Sequence, residues 1–192
     1  EALEQELRSR EQHFRDMVES LSAITWEAES SGLTYTYVSP HAEKLLGYPL
    51  EKWLEPGFWQ RHLHPDDQQR ALRRCLEQCT AGEDHTLEYR LLAADGRVVW
   101  VRDTVTLLQR GDQQVVRGLM IDISETKQTE QALRLSEQKF ASVFQQCPDI
   151  LVIARRADGV LLEVNAAFTE HTGLSVEQAI GKTATELDIW GV

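Results

Sequence analysis

Cysteine is scarce in this sequence: 192 residues hold three, Cys75, Cys79 and Cys147. An odd number with no Cys-x-x-Cys pair excludes a disulfide framework and fits buried thiols in a reducing compartment, so a cytoplasmic location is expected. Long apolar runs are missing too. The longest, such as Ile150 to Ala154, are about a quarter of the roughly 20 residues a membrane-spanning helix requires, and no membrane contact by this segment is expected. Basic residues are few: 20 Lys and Arg against 31 Asp and Glu leave a formal net charge of -11. Nucleic-acid affinity rests on clustered cations that neutralise phosphates, so DNA and RNA are excluded as direct partners. There is no Gly-rich phosphate loop and no phosphoacceptor histidine motif, so kinase or cyclase machinery is not expected within these residues. The chain opens at Glu1 without methionine or signal peptide and stops at Val192 soon after an apolar element, the pattern expected of a piece of something longer.

What remains is globular composition, 42% hydrophobic and 27% charged, in a length that allows one domain or one plus part of another. A repeat decides between them. Glu4, Gln5, Leu7, Arg8, Glu11, Gln12 and Phe14 recur as Glu130, Gln131, Leu133, Arg134, Glu137, Gln138 and Phe140, each pair 126 apart. Val38 and Val164, Gly47 and Gly173, and Glu51 and Glu177 keep that offset, while Gly32 and Gly159 differ by 127. The expected organisation is an N-terminal amphipathic helix over 1–21, a complete unit over 22–124, a linker helix over 125–144, and the N-terminal half of a second unit over 145–192.

Periodicity supplies the elements. Leu3, Leu7, Phe14, Met17, Val18 and Leu21 fall at helical spacing in a charged stretch without Gly or Pro. Leu7, Phe14 and Leu21 step by seven, as do Leu133, Phe140 and Cys147; this is the spacing of a coiled-coil seam, with a plain surface helix as the competing reading. Two strands are predicted at Ala23 to Ala28 and Leu33 to Ser39 around a Ser30-Ser31-Gly32 turn. Short helices follow at His41 to Leu46, Leu50 to Leu54 and Phe58 to His62. A longer one runs from Asp67 to Cys79, where Asp66 and Gln69 resemble a capping box. Strands at Thr86 to Leu92, Val98 to Leu108 and Val115 to Ile123 close the unit through Asp95-Gly96 and Gly111-Asp112 turns. Two strands, several helices and three strands make an α+β fold, one antiparallel sheet with helices gathered on one face.

These residues resemble the PAS domains of bacterial sensor proteins. The resemblance is carried by Tyr37-Val38-Ser39-Pro40, Leu45-Leu46-Gly47-Tyr48, His64-Pro65-Asp66-Asp67, Glu88-Tyr89-Arg90, Asp95-Gly96 before Val99-Trp100-Val101, and Gly118 through Asp122-Ile123-Ser124. The second unit is similar through Asp158-Gly159, Val164-Asn165-Ala166-Ala167-Phe168, Thr172-Gly173 and Ile180-Gly181-Lys182. It implies a five-stranded antiparallel PAS sheet and an incomplete second PAS unit. It also implies a sensory and dimerisation module that relays a signal through flanking helices, as a homodimer, to a histidine kinase or cyclic di-GMP enzyme domain. By the same resemblance Asp122 and Ser124 mark the signal exit, with Ser124 the expected N-cap and Glu125 near the positive end of the helix dipole. Family members that hold haem use a histidine on the helix occupied here by Asp67 to Cys79, which has none, and the flavin-binding subfamily places its reactive cysteine before that helix, not at Cys75 or Cys79. Haem and flavin are not expected.

Strand alternation gives the candidate pocket. By the same resemblance Val99, Val101, Val116 and Met120 are expected inward, and Trp100, Leu119 and Ile121 on the opposite face. Trp26, Cys75, Tyr89, Val101 and Met120 are the candidate lining for a small hydrophobic ligand or cofactor, against the alternative that these side chains fill the core. Cys75 and Cys79, four apart, are read as a reduced apolar helix face. His62, His64, Asp66 and Asp67 resemble the first half of a binuclear metal motif, which makes a metal-dependent hydrolase a third reading, but the motif lacks its final histidine. In the second unit Ile150, Leu151, Val152, Leu161 and Leu162 are expected to be left exposed on strands without partners.

Overall fold

The computed structural model describes residues 6, 22–29, 34–110 and 113–189. The expected seam of Leu7, Phe14 and Leu21, most of the 1–21 helix, and the turns at 30–33 and 111–112 lie outside them. The chain divides into two compact units, residues 1–128 and 129–192.

In the first unit, strands β1 (Ala23–Glu29) and β2 (Tyr35–Val38) precede helices α1 (His41–Leu46), α2 (Leu50–Trp53), α3 (Phe58–His62) and α4 (Pro65–Ala81). Strands β3 (His85–Leu92), β4 (Val98–Arg110) and β5 (Gln113–Asp122) follow, and helix α5 (Ser124–Gln146) leads out. All neighbours are antiparallel, in the order β2-β1-β5-β4-β3. The last strand, β5, is therefore central, with β1 between it and the edge strand β2, and the helices between β2 and β3 cross over one face. That face buries Ile24, Trp26, Leu87, Tyr89, Leu91, Val99, Val101, Val105, Val116 and Met120 in one core with Leu46, Trp53, Phe58 and Leu63 from the helices.

Helix α4 begins earlier than the sequence pattern predicts. His64, not Asp66, is the N-cap: its Nδ1 accepts the Asp66 N–H at 3.3 Å, and Pro65 takes the first helical position. Proline has no N–H to leave unpaired there and its φ is already helical, which outweighs the Asp66/Gln69 pattern. The helix stops at Gly82, whose φ of +72° and two N–H contacts to Cys79 and Gln78 carbonyls form a left-handed cap.

The second unit has β6 (Val152–Ala154), β7 (Leu161–Val164), α6 (Ala166–Thr172) and α7 (Val176–Ala179). It reproduces the first at the offset read from sequence. Val152 pairs with Val164 as Trp26 pairs with Val38, and the register shifts between Ile153 and Ala154 as it does between Glu27 and Ala28. Ser39 Oγ accepts the Thr25 N–H at 3.0 Å, and Asn165 Oδ1 accepts the Leu151 N–H at 3.0 Å. Leu161, expected to be exposed, is buried. It faces a small core of Val164, Phe168 and Ala179, and the chain after α7 folds over it through Leu161 N–H to Lys182 O and Gly181 N–H to Leu161 O. Ile150, Val152 and Leu162 are exposed.

Candidate functional site

Among the described residues the sheet's inward face carries one carboxylate. Asp103 lies two residues beyond Val101 and two before Val105, so alternation turns it into the core, where it is 4% exposed. A buried charge requires donors, and two are supplied: Trp26 Nε1–H at 2.9 Å from β1 and the Tyr89 hydroxyl at 2.7 Å from β3. They offset desolvation only in part, and burial raises the Asp103 pKa from its ordinary 3.8 to about 6. Trp26 can reach across because its opposite number on β5 is Gly118; a Cβ at that position would overlap the indole.

Beside this carboxylate lies a cavity of about 10 Å³, walled by Trp26, Tyr35, Trp59, Cys75, Leu87 and Asp103 together with Ala28 and Val105. That volume is about one water. The Trp59 Nε1–H is buried and makes no hydrogen bond of full geometry, its nearest interaction being with the Tyr89 hydroxyl. Tyr35 stands edge-on to Trp26 at 5.4 Å, and Trp59 stands edge-on to Tyr89 at 5.7 Å, so the aromatic wall is continuous. Burial pushes the Tyr35 and Tyr89 hydroxyls well above the ordinary tyrosine range, and the Asp103 charge adds to it, which keeps both as neutral donors.

Alternation places the neighbours of Tyr89 on the other face. Glu88 receives Lys127 Nζ at 2.8 Å and Arg102 at 2.8 Å, and its pKa is lowered by hydrogen bonds from those two cations. Lys127 belongs to the first turn of α5 and lies over the Trp100 ring at 5.5 Å. Arg90 bonds Asp67 with Nε at 2.8 Å and with its backbone N–H at 3.0 Å, and this holds the Asp67 carboxyl down to about 2. At the sheet exit the Ile123 N–H donates to Trp100 O, the Trp100 N–H donates to Ser124 Oγ at 3.0 Å, and the Ser124 N–H donates to Asp122 Oδ1 at 2.8 Å. Ser124 is thus not the N-cap: its hydroxyl is taken by the strand, and Ile123 O accepts the first helical bond from Lys127.

Of the candidate lining, Trp26 and Cys75 line the cavity, Tyr89 supports it through Asp103, and Val101 and Met120 are buried in the core away from its wall. Asp103 itself escaped the sequence reading, although the series 99, 101, 103, 105 on one strand face contains it. The His62, His64, Asp66 and Asp67 set is not brought together as a metal cage. The His62 ring stacks on Phe58 at 4.0 Å and its Nδ1 meets Phe58 O, while His64 caps α4 and Asp67 is taken up by Arg90 and Arg70.

Among the described residues no helix is long and apolar enough to cross a membrane. Two family models match, both described as PAS fold, over residues 35–121 and 138–187. The chain is 26% identical over 183 residues to the sensor protein FixL of Bradyrhizobium diazoefficiens, which covers 93% of this chain and 35% of that protein. It is 28% identical over 196 residues to the two-component sensor PprA of Pseudomonas aeruginosa, covering 99% of this chain and 21% of that protein. The chain thus spans about a third or less of these relatives. Among solved structures it is similar to the N-terminal domain of a diguanylate cyclase with PAS/PAC sensor from Marinobacter aquaeolei. That match has 34% identity and a TM-score of 0.52, over 55% of this chain and 98% of that one. A sensory box histidine kinase/response regulator from Burkholderia thailandensis matches at 25% identity and a TM-score of 0.54, over 66% of this chain and 96% of that one. With the strand order, the helical crossover and both halves of the repeat matched, the chain belongs to the PAS family.

Proposed function

We propose that this chain is a non-catalytic sensory and dimerisation module that converts a change at the Asp103 cavity into a change at the start of α5, for an output domain of the histidine kinase or cyclic di-GMP type. One observation carries this reading: adjacent residues of β3 serve both ends. Tyr89 holds the Asp103 carboxylate inside the core, and Glu88 holds Lys127 of the exit helix outside it. An event that moves the Tyr89 hydroxyl displaces the strand segment that anchors the helix, and the Asp122–Ser124–Trp100 bonds transmit the movement without slack. Dimerisation through the flanking helices is supported by apolar side chains along α5 that face solvent: Leu133, Leu135, Phe140 and Val143 are all exposed.

A resident hydrophobic cofactor fits the site less well, because a drug-sized ligand occupies several hundred Å³ and the cavity has about 10 Å³. A small polar group about the size of one water, beside Asp103, fits better. The relay is tested in the full-length parent with Asp122→Ala and, separately, Glu88→Gln. Output activity and its response to stimulus are expected to uncouple while circular dichroism of the 192-residue chain stays unchanged. Full regulation in both variants would reduce Asp122 and Glu88 to strand-end and surface residues.

A further inference from the structure

Cys75, Cys79 and His85 make none of the hydrogen bonds of the relay, yet they converge. The two cysteines are one helical turn apart on the buried face of α4, with Sγ atoms 3.9 Å apart. Gly82 reverses the chain after α4, the Asp84 carboxylate pins the turn by accepting the Leu107 N–H at 2.9 Å, and His85 then opens β3 opposite Val105. One ligand atom from each of the three residues lies within 4.8 Å of the other two.

The imidazole is oriented for ligation. Its Nδ1 lies 3.1 Å from the Glu83 carbonyl, which only accepts, so Nδ1 carries the proton and Nε2 presents a lone pair. That Nε2 is buried and has no hydrogen-bond partner. A ring whose second nitrogen donates to a backbone carbonyl is the usual arrangement around a metal-bound histidine. The sulfur spacing agrees: two thiolates about 2.3 Å from a tetrahedral ion stand about 3.8 Å apart. Burial pushes both thiols above their ordinary value, which argues against a reactive thiolate nucleophile at this place.

We infer that Cys75, Cys79 and His85 form a site for a soft or borderline cation, Zn²⁺ or Cu⁺, that clamps the end of α4 to the start of β3. Two sulfurs and one imidazole select against Mg²⁺ and Ca²⁺, which take oxygen ligands. Three protein ligands leave the fourth tetrahedral position open, and Cys75 places the ion beside the cavity wall. Binding replaces the two S–H protons, which leave to solvent, with two S–metal bonds.

The test is titration of the reduced 192-residue chain with Co²⁺, followed by displacement with Zn²⁺. One equivalent is expected, with intense tetrahedral visible bands and thiolate-to-cobalt charge transfer, both lost when Zn²⁺ is added. Cys79→Ser and His85→Gln should each weaken binding by more than about tenfold, while Cys147→Ser leaves it intact. His85→Gln lies at a strand end, so circular dichroism separates lost binding from lost fold. A weak octahedral spectrum, no stoichiometric binding, or equal affinity in folded His85→Gln would each overturn the assignment.

Discussion

Replacing Asp103 with Asn removes a charge from the core without changing its shape, and the effect is calculable. In the folded chain Asp103 titrates at about 6 against an ordinary 3.8, because desolvation outweighs the bonds from Tyr89 and Trp26. A carboxyl raised on folding favours the folded state while protonated. Its contribution is fully present below about pH 4 and is lost as pH rises through about 6. At roughly 1.4 kcal/mol per pKa unit, the ionised group costs about 3 kcal/mol at neutral pH relative to acid. The Asn carboxamide oxygen still accepts the Trp26 N–H, and its amide meets the Tyr89 oxygen. Asp103→Asn is therefore expected to unfold at nearly the same urea concentration as the parent chain near pH 4, and at a progressively higher one as pH rises to about 7.5. With a denaturant slope of about 1 to 3 kcal/mol per molar, the final difference is about 1 to 3 M in urea. Tryptophan fluorescence reads the relevant unit, since Trp26, Trp53, Trp59 and Trp100 all lie in it. Parallel pH profiles for the two chains would refute the claim that a desolvated carboxylate sits at the centre of this core.

Gly118→Ala drives a methyl group into the Trp26 indole; a loss of about 1 to 3 kcal/mol is expected, with a changed near-ultraviolet tryptophan signal, and an unaltered melting temperature would contradict the packing. Asp67 shows the opposite linkage to Asp103. Arg90 holds it at about 2, so its stabilisation is present above its ordinary 3.8 and lost as pH falls through about 2; Asp67→Asn should lower stability at neutral pH by about 2 kcal/mol and flatten the acid limb of the unfolding profile. Light scattering should give about twice the 21.9 kDa chain mass, and Phe14→Asp or Phe140→Asp should shift it toward monomer; a monomer at high concentration in the parent chain removes the dimer proposal.

Much of the frame was legible because it depends on local spacing. The period-2 pattern of β3 to β5, the Asp95-Gly96 turn and the helix stop at Gly47 are written in neighbouring residues, and all three are found. The interactions that give the site its properties join residues far apart. Asp67 and Arg90 are 23 positions apart and Trp26 and Asp103 are 77 apart; pairing them requires knowing which helix turn lies over which strand position. Two helix starts differ from their local sequence pattern for a related reason. At Pro65 the ring constraint overrode an acidic capping pattern, and at Ser124 a competing donor, the Trp100 N–H, captured the hydroxyl that would have capped the helix.

The repeat separates scaffold from site. At the shared offset, Ser39 and Asn165 do the same job, accepting a backbone N–H across the first hairpin, and Gly47 and Gly173 end equivalent helices with φ near +70°. Asn165 does more than Ser39, because its amide also donates to the Cys147 and Asp149 carbonyls and ties down the entry to the second unit. The position equivalent to Trp26, however, is Val152, which is exposed and has no side-chain N–H to offer a buried carboxylate. A hairpin register can be copied with any side chain that suits a strand, whereas a buried charge needs its particular donors. The residues that repeat are therefore those that shape backbone. Trp26, which does not, is where the first unit's chemistry resides.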